Sequence, residues 1–252
     1  MGKSILLTGA AGGVGQAIGA ALMDADHQVV AFDRLETPGF TRSIVADILD
    51  RHAVLEAAQG MDVIIHLAAA PDEADFIDEL LEPNIRGLYH VCDAARARSV
   101  PRLVLASSVQ VVTGHSLRAS SHSFKKLIKI EDGPRVVNHY ALTKLWAEGI
   151  GEMYSRVHNM TVIAARLGWL PRSVEHAEAL RSSTWGPDVY LSHGDAGLFF
   201  QTCVETKLDE GRFEILFARS KSANVDRLDL EPSRRILGYE PRDTWPEGQP
   251  FI

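Results

Sequence analysis

Thr8-Gly9-Ala10-Ala11-Gly12-Gly13-Val14-Gly15 stands between a strand-like apolar run, Ser4-Ile5-Leu6-Leu7, and an alanine-rich helical pattern over residues 16–25. Gly9, Gly12 and Gly15 are spaced G-x-x-G-x-x-G. A glycine triplet alone says little, but strand before and helix after is the context in which it binds a dinucleotide. Glycine allows the tight turn and lets backbone amides approach a pyrophosphate with no Cβ in the way. The free N–H groups and positive dipole end of the next helix then hold the anion. Gly9, Gly12, Gly13, Val14 and Gly15 are therefore the first candidate cofactor contacts.

Asp33 closes a second strand pattern, Val29-Val30-Ala31-Phe32, eighteen residues after Gly15. A carboxylate about 20 residues past the glycines accepts hydrogen bonds from the adenosine ribose hydroxyls and repels a 2′-phosphate. NAD is the expected cofactor. Arg34, the next residue, is placed to hold a 2′-phosphate, which keeps NADP as the less favoured alternative.

The rest of the chain repeats the alternation. Strand patterns follow at Ser43-Ile44-Val45-Ala46, Asp62-Val63-Ile64-Ile65-His66-Leu67, Leu103-Val104-Leu105-Ala106, Thr161-Val162-Ile163-Ala164-Ala165 and Phe213-Glu214-Ile215-Leu216-Phe217. Helical patterns cover residues 50–58, 84–98, 140–156 and, from an N-cap at Ser192, 192–207. A short helix ends at Leu237-Gly238-Tyr239. Continuous apolar strands alternating with helices predict an α/β fold, a doubly wound parallel sheet of the Rossmann type. Residues 1–165 form the dinucleotide-binding domain and residues 166–252 a small substrate-binding portion, not an independent domain. Ligands in such sheets sit at the carboxyl ends of the strands. At those ends lie Asp47 and Ile48, then Leu67, Ala68 and Ala69, then Ser107 and Ser108. Asp47 either caps the adenine amino group or is the N-cap of the following helix.

Composition narrows the class. The 252 residues carry a net charge of −7, which disfavours a nucleic-acid binder. No apolar run is long enough for a membrane span, and the glycine loop follows the N-terminus too closely for a targeting peptide. Cys92 and Cys203 show no zinc or redox spacing, and the ten histidines show no metal-ligand pattern. No metal is expected, and a reducing, cytoplasmic location is.

Tyr140-Ala141-Leu142-Thr143-Lys144 carries the chemistry. Residues four apart on a helix share a face. A free phenol, with a pKa of about 10, is a poor base at neutral pH. A neighbouring ammonium stabilises the phenolate and lowers that value, so the pair can exchange a proton with a substrate hydroxyl or carbonyl. Ser108 would hold the same oxygen. By itself the pair would suit an ordinary surface helix; downstream of a dinucleotide loop it points to catalysis.

Together these motifs resemble the extended short-chain dehydrogenase/reductases, the NAD-dependent epimerase/dehydratase family. The resemblance rests on Gly9 to Gly15, Asp33, Asp47-Ile48, His66-Leu67-Ala68-Ala69, Asn84-Ile85-Arg86-Gly87, Ser107-Ser108 and Tyr140 to Lys144. It implies that Ser108, Tyr140 and Lys144 are catalytic and that Tyr140, Lys144 and Asn84 also support the cofactor. It also implies a homodimer paired through the helices after Asn84 and Tyr140.

The C-terminal third bears on substrate. Arg166-Leu167-Gly168, Ser183-Thr184-Trp185 and Leu237-Gly238-Tyr239 look like the compact uronate dehydrogenases of that family, which oxidise a free hexuronic acid to a lactone with NAD. The implied substrate is a small sugar or sugar acid. Ser108 and Gln110 are candidate contacts, and Arg172 and Arg181 are candidates for a carboxylate, which a guanidinium fork binds through both oxygens. Two features depart from the pattern: Val109-Gln110 stands where Asn-His is expected, and Arg181 is displaced by one position. Both arginines are alternatively plain surface residues. The long loop 115–139 carries Arg118, Lys125, Lys126 and Lys129 around Phe124, Leu127, Ile128 and Ile130. It is either a basic lid for an anionic substrate or a solvated amphipathic turn. Two further functions fit the same motifs: an epimerase or dehydratase that retains its NAD, and a non-catalytic NAD-binding regulatory protein.

Overall fold

The computed structural model describes residues 2–251. Its strands are β1 (Ser4–Thr8), β2 (Gln28–Asp33), β3 (Arg42–Val45), β4 (Val63–His66), β5 (Arg102–Ser108), β6 (Thr161–Leu167) and β7 (Phe213–Ala218). They form one parallel sheet in the order β3-β2-β1-β4-β5-β6-β7. The order reverses between β1 and β4, and a doubly wound sheet opens its ligand crevice at that point. Thr8 is in register with Phe32 on one side and His66 on the other, so the ends of these three strands converge there.

The helices are α1 (Gly13–Asp24), α2 (Arg51–Ala57), α3 (Leu88–Ala97), α4 (His139–His158), α5 (Val174–Ser182), α6 (His193–Glu205) and α7 (Glu231–Leu237). Ile18 and Leu22 of α1 pack with Phe199 and Phe200 of α6 on one sheet face. Val54, Val91, Ala95, Ala147 and Ile150, from α2, α3 and α4, cover the other. A buried Leu or Phe side chain contributes roughly 1.5–3 kcal/mol, so the two layers hold the strand ends in fixed relation. The boundary expected after residue 165 falls inside β6, because β7 extends the sheet and α6 supplies half of one core layer. The C-terminal portion is thus built into the sheet.

Three further elements differ from expectation. The helix expected over 84–98 begins earlier, as π-type turns at Phe76–Leu80 and Glu82–Gly87, and is regular only from Leu88. Pro83 has no N–H to give to a regular ladder, and the wider turn surrounds it. Asp47 is not a helix cap: Asp50 caps α2 by accepting from His52 N and Ala53 N, while Asp47 accepts from Leu49 N in the turn beyond β3. Helix α5, capped by Ser173, has no counterpart in the sequence reading. Among the described residues, no helix is long and apolar enough to cross a membrane.

Candidate active site

Gly9 adopts φ +76°, and a Cβ on it would meet Ala68 N at 2.6 Å. A Cβ on Gly15 would meet Gly9 O at 2.2 Å. Glycine at these positions lets the ends of β1 and β4 and the start of α1 touch backbone to backbone. Gly12 and Gly13 are different: their nearest contacts lie at 3.5 and 3.9 Å, leaving a concave surface over the α1 N-terminus. Val14 lines the adjoining cavity. Asp33 reaches across from β2, its Oδ2 accepting from Ala11 N at 3.0 Å and its Oδ1 from Leu35 N at 3.1 Å. An open cradle at a helix N-terminus with a fixed carboxylate beside it fits a dinucleotide. Arg34 is solvent-exposed at the rim.

Leu67 and Ala69, beyond β4, line the same cavity, and Ala68 N donates to Thr8 Oγ1. Ile48 is buried against Gly87. Asn84 does not face the cavity. Its Oδ1 accepts from Ala70 N at 2.7 Å, and its Nδ2 donates to Ala70 O and Thr143 Oγ1. Asn84 therefore ties the chain after β4 to the first turn of α4.

Ser108, Tyr140 and Lys144 meet in this cavity. Ser108, the last residue of β5, accepts from Gln110 N, and its side chain favours ionisation of the neighbouring Tyr140 phenol. Lys144 is buried, with its Nζ 5.5 Å from the centre of the Tyr140 ring. Burial lowers the ammonium to about 8. It also pushes the phenol up to about 12, with Asp72 adding and with Arg172 and Ser108 opposing. The expected lowering of the tyrosine by its lysine is not seen: withdrawal from water dominates, and the opposing groups are Arg172 and Ser108. Beneath the pair, His66 is held neutral, lowered to about 3 by burial and then by the Lys144 charge, with its Nδ1 2.8 Å from Thr8 Oγ1.

Residues outside the recognisable motifs fix this geometry. Asn138 caps α4 by accepting from Ala141 N at 2.8 Å. Glu73 accepts from the backbone amides of His139 and Tyr140 at 3.2 and 2.8 Å. Behind the site, Glu148 accepts from Arg166 through both carboxylate oxygens (2.7 and 2.8 Å) and from Ser107 Oγ at 2.7 Å. This buried cluster locks β5, α4 and β6 together. Asp72, Glu73 and Glu148 lie far in sequence from their partners and carry no local pattern that marks them; the short polar run after Ala70-Pro71 is the nearest thing to a signal.

The cavity, about 270 Å³ in volume as a whole, is lined on its substrate side by Gln110, Asp72, Arg172, His176, Trp169, Trp185 and Arg118. Gln110 has its Oε1 engaged by Asn138 Nδ2. Arg172 is bonded to Asp72. Arg181 is not in the cavity: it is solvent-exposed on α5 and pairs with Glu178. Helix phase explains this, since Ala177 and Leu180 take the buried face. In the long loop, Phe124 and Ile128 are buried while Lys125, Lys126 and Lys129 face solvent, which is the amphipathic-turn arrangement. Arg118 is exposed as well, but it lies at the cavity, with its Cζ 5.6 Å from the centre of the Trp185 ring.

Comparison with known proteins agrees with this geometry. The chain is 32% identical to an L-arabinose 1-dehydrogenase (NAD(P)(+)) of Haloferax volcanii, across 95% of this chain and 96% of that protein. It is 31% identical to an NAD-dependent glucose-6-phosphate dehydrogenase of the same organism, across 96% and 94%. The crystal structure of a glucuronic acid dehydrogenase from Chromohalobacter salexigens superposes with a TM-score of 0.80 at 26% identity, covering 97% of this chain and 86% of that one. The profile of the NAD dependent epimerase/dehydratase family matches residues 5–170, from β1 through the glycine loop and the Tyr140–Lys144 turn to the end of β6. By its strand order, its cofactor cradle and this match, the chain belongs to the NAD dependent epimerase/dehydratase family.

Proposed function

We propose that this protein is an NAD-dependent dehydrogenase of a free sugar or sugar acid, with Tyr140 as the general base. The observation that carries the reading is the convergence of Ser108, Tyr140 and buried Lys144 in the same cavity as Val14 of the glycine loop. Gly12, Gly13 and the α1 N-terminus would hold the pyrophosphate and Asp33 the adenosine ribose; bound NAD supplies the hydride acceptor. Ser108 positions the substrate hydroxyl and Tyr140 takes its proton. Lys144 beneath the ring offsets the charge that leaves a buried phenol reluctant to ionise. The cavity is at the lower limit of common ligand sites, roughly 300–1,000 Å³. Part of that volume lies beside Val14, Leu67 and Ala69 on the cofactor side, which leaves the remainder for a small substrate. The names of the relatives, an aldose, a sugar phosphate and a uronate dehydrogenase, support the same class.

The test is NADH formation, followed by near-ultraviolet absorbance, with free aldoses, uronates, sugar phosphates and nucleotide-linked sugars. NADH is expected with a free sugar and is lost in Tyr140→Phe. Tightly retained NAD with no net NADH from any free sugar would overturn this reading in favour of an epimerase. Undiminished activity in Tyr140→Phe would remove the assigned base.

A homodimer is part of the proposal. Tyr89 on α3 and Leu142, Trp146 and Met153 on α4 leave 37–48% of their surface exposed, and the last three are spaced as one helical stripe. A Trp146→Glu variant is expected to run as a monomer in light scattering if this stripe is the interface.

A further inference from the structure

At the mouth of the cavity an exposed cation has no anionic partner among the described residues. Arg118 lines it, yet among the described residues Arg118 takes part in no hydrogen bond or ion pair, only in the stacking over Trp185. Arg172, by contrast, already has Asp72 as its anion. Counting Arg118, Arg172, Lys144 and Asp72, the cavity wall carries three cationic side chains against one carboxylate. That is the reverse of the chain as a whole, at −7. A concave wall of one sign concentrates small ligands of the other.

The backbone on either side of Arg118 is also held in place. The fully buried Arg227 guanidinium donates from Nη1 to Leu117 O (3.1 Å) and to Ala119 O (2.8 Å), the carbonyls on either side of it. Arg227 is in turn paired with buried Asp188 at 2.9 Å. Asp188 N also donates to Trp185 O, which ties the backbone of Trp185 to that of Asp188. The buried ion pair thus fixes the backbone that carries Arg118, beside the turn that carries Trp185. A side chain stacked on an aromatic face keeps its edge N–H groups free for a planar or tetrahedral oxyanion.

Resting on the proposed dehydrogenase reading, we propose that Arg118 is the specificity-determining residue for an oxyanion on the substrate. The substrate is then a free sugar carrying one carboxylate or phosphate. The oxyanion lies at Arg118 while a hydroxyl-bearing carbon faces Tyr140 and Ser108.

The experiment measures kcat/KM by NADH formation for galacturonate and glucose 6-phosphate against galactose and glucose, in the wild type, Arg118→Gln, Arg118→Lys and Arg181→Gln. The wild type is expected to prefer one of the anionic sugars to its neutral parent. In Arg118→Gln that preference falls roughly 10- to 100-fold, the range of a charged hydrogen bond, through KM and not kcat. Arg118→Lys keeps part of the preference, and Arg181→Gln keeps all of it. Which anionic sugar responds separates a carboxylate from a phosphate. An unchanged anionic-to-neutral ratio in Arg118→Gln, with neutral sugars turned over, overturns this inference and leaves the dehydrogenase reading standing. No NADH from any sugar, with NAD binding intact by fluorescence titration, overturns both.

Discussion

On the cofactor side of the cavity, Gly9, Gly15 and Ala68 meet through backbone, with Thr8 reaching Ala68 N and Asp33 reaching Ala11 N. On the substrate side, Arg118, Trp169, Trp185 and Arg172 come from three separate loops, and buried side-chain pairs hold them. The first wall is made of strand ends whose positions follow from the sheet. The second depends on Asp188, which accepts from Arg227, Asn224 and Ser121 and so gathers segments more than 60 residues apart. The difference means that the two walls should fail separately: one through the catalytic turn or the ribose contact, the other through a buried charge.

The sharpest separation is Tyr140→Phe. Loss of the base is expected to lower kcat/KM by about 10²–10⁴-fold, while the NAD dissociation constant, read by fluorescence titration, stays within a few-fold. A parallel loss of NAD affinity would show that the phenol belongs to the cofactor wall as much as to the chemistry.

Asp188→Ala tests the other wall. It leaves Arg227 buried and unpaired at a cost of about 3–5 kcal/mol. For a chain of this size that lowers Tm by on the order of 10 °C. Limited proteolysis should then cut within residues 117–129, with NAD affinity retained. Replacing both partners, Asp188→Leu with Arg227→Met, should recover much of the loss. An unchanged Tm in Asp188→Ala would deny the pair its structural role.

The pH profile probes the junction of the walls. Below about pH 8 Lys144 is charged and Tyr140 neutral, so the pair has no room for the substrate's proton. Raising the pH through about 8 removes the Lys144 proton, so the lysine can receive the phenol's proton as the phenol takes the substrate's. Oxidation should therefore rise up to tenfold per pH unit below 8 and level off above it. In Lys144→Met the rise should move upward, toward the value of the isolated buried phenol. A flat profile would place the base elsewhere.

The smallest effect is expected from Asp33→Asn, at about tenfold weaker NAD binding with a relative gain for NADP. Calorimetric titration with both cofactors decides it; an unchanged ratio would shift discrimination to Arg34.

The sequence alone was enough for the sheet, for the glycine loop between β1 and α1 with Asp33 at the end of β2, and for Tyr140 and Lys144 on one helical turn. Each depends on spacing within one strand–turn–helix unit or one helical turn, where residue type and φ preference act over a few positions. The expected NAD-dependent family followed from those same units. The tertiary structure decided the rest. It placed Arg181 in solvent and Arg118 at the cavity, because helix phase and loop path are set by what packs beneath them. It gave Asn84 to Ala70 and Thr143, and brought Glu73 to the amides of His139 and Tyr140. It also reversed the expected direction for the phenol, since withdrawal from water depends on every neighbour and not on the one four residues away. Local spacing fixes backbone; burial and long-range charge pairing, which no short stretch encodes, fix the chemistry presented to the substrate.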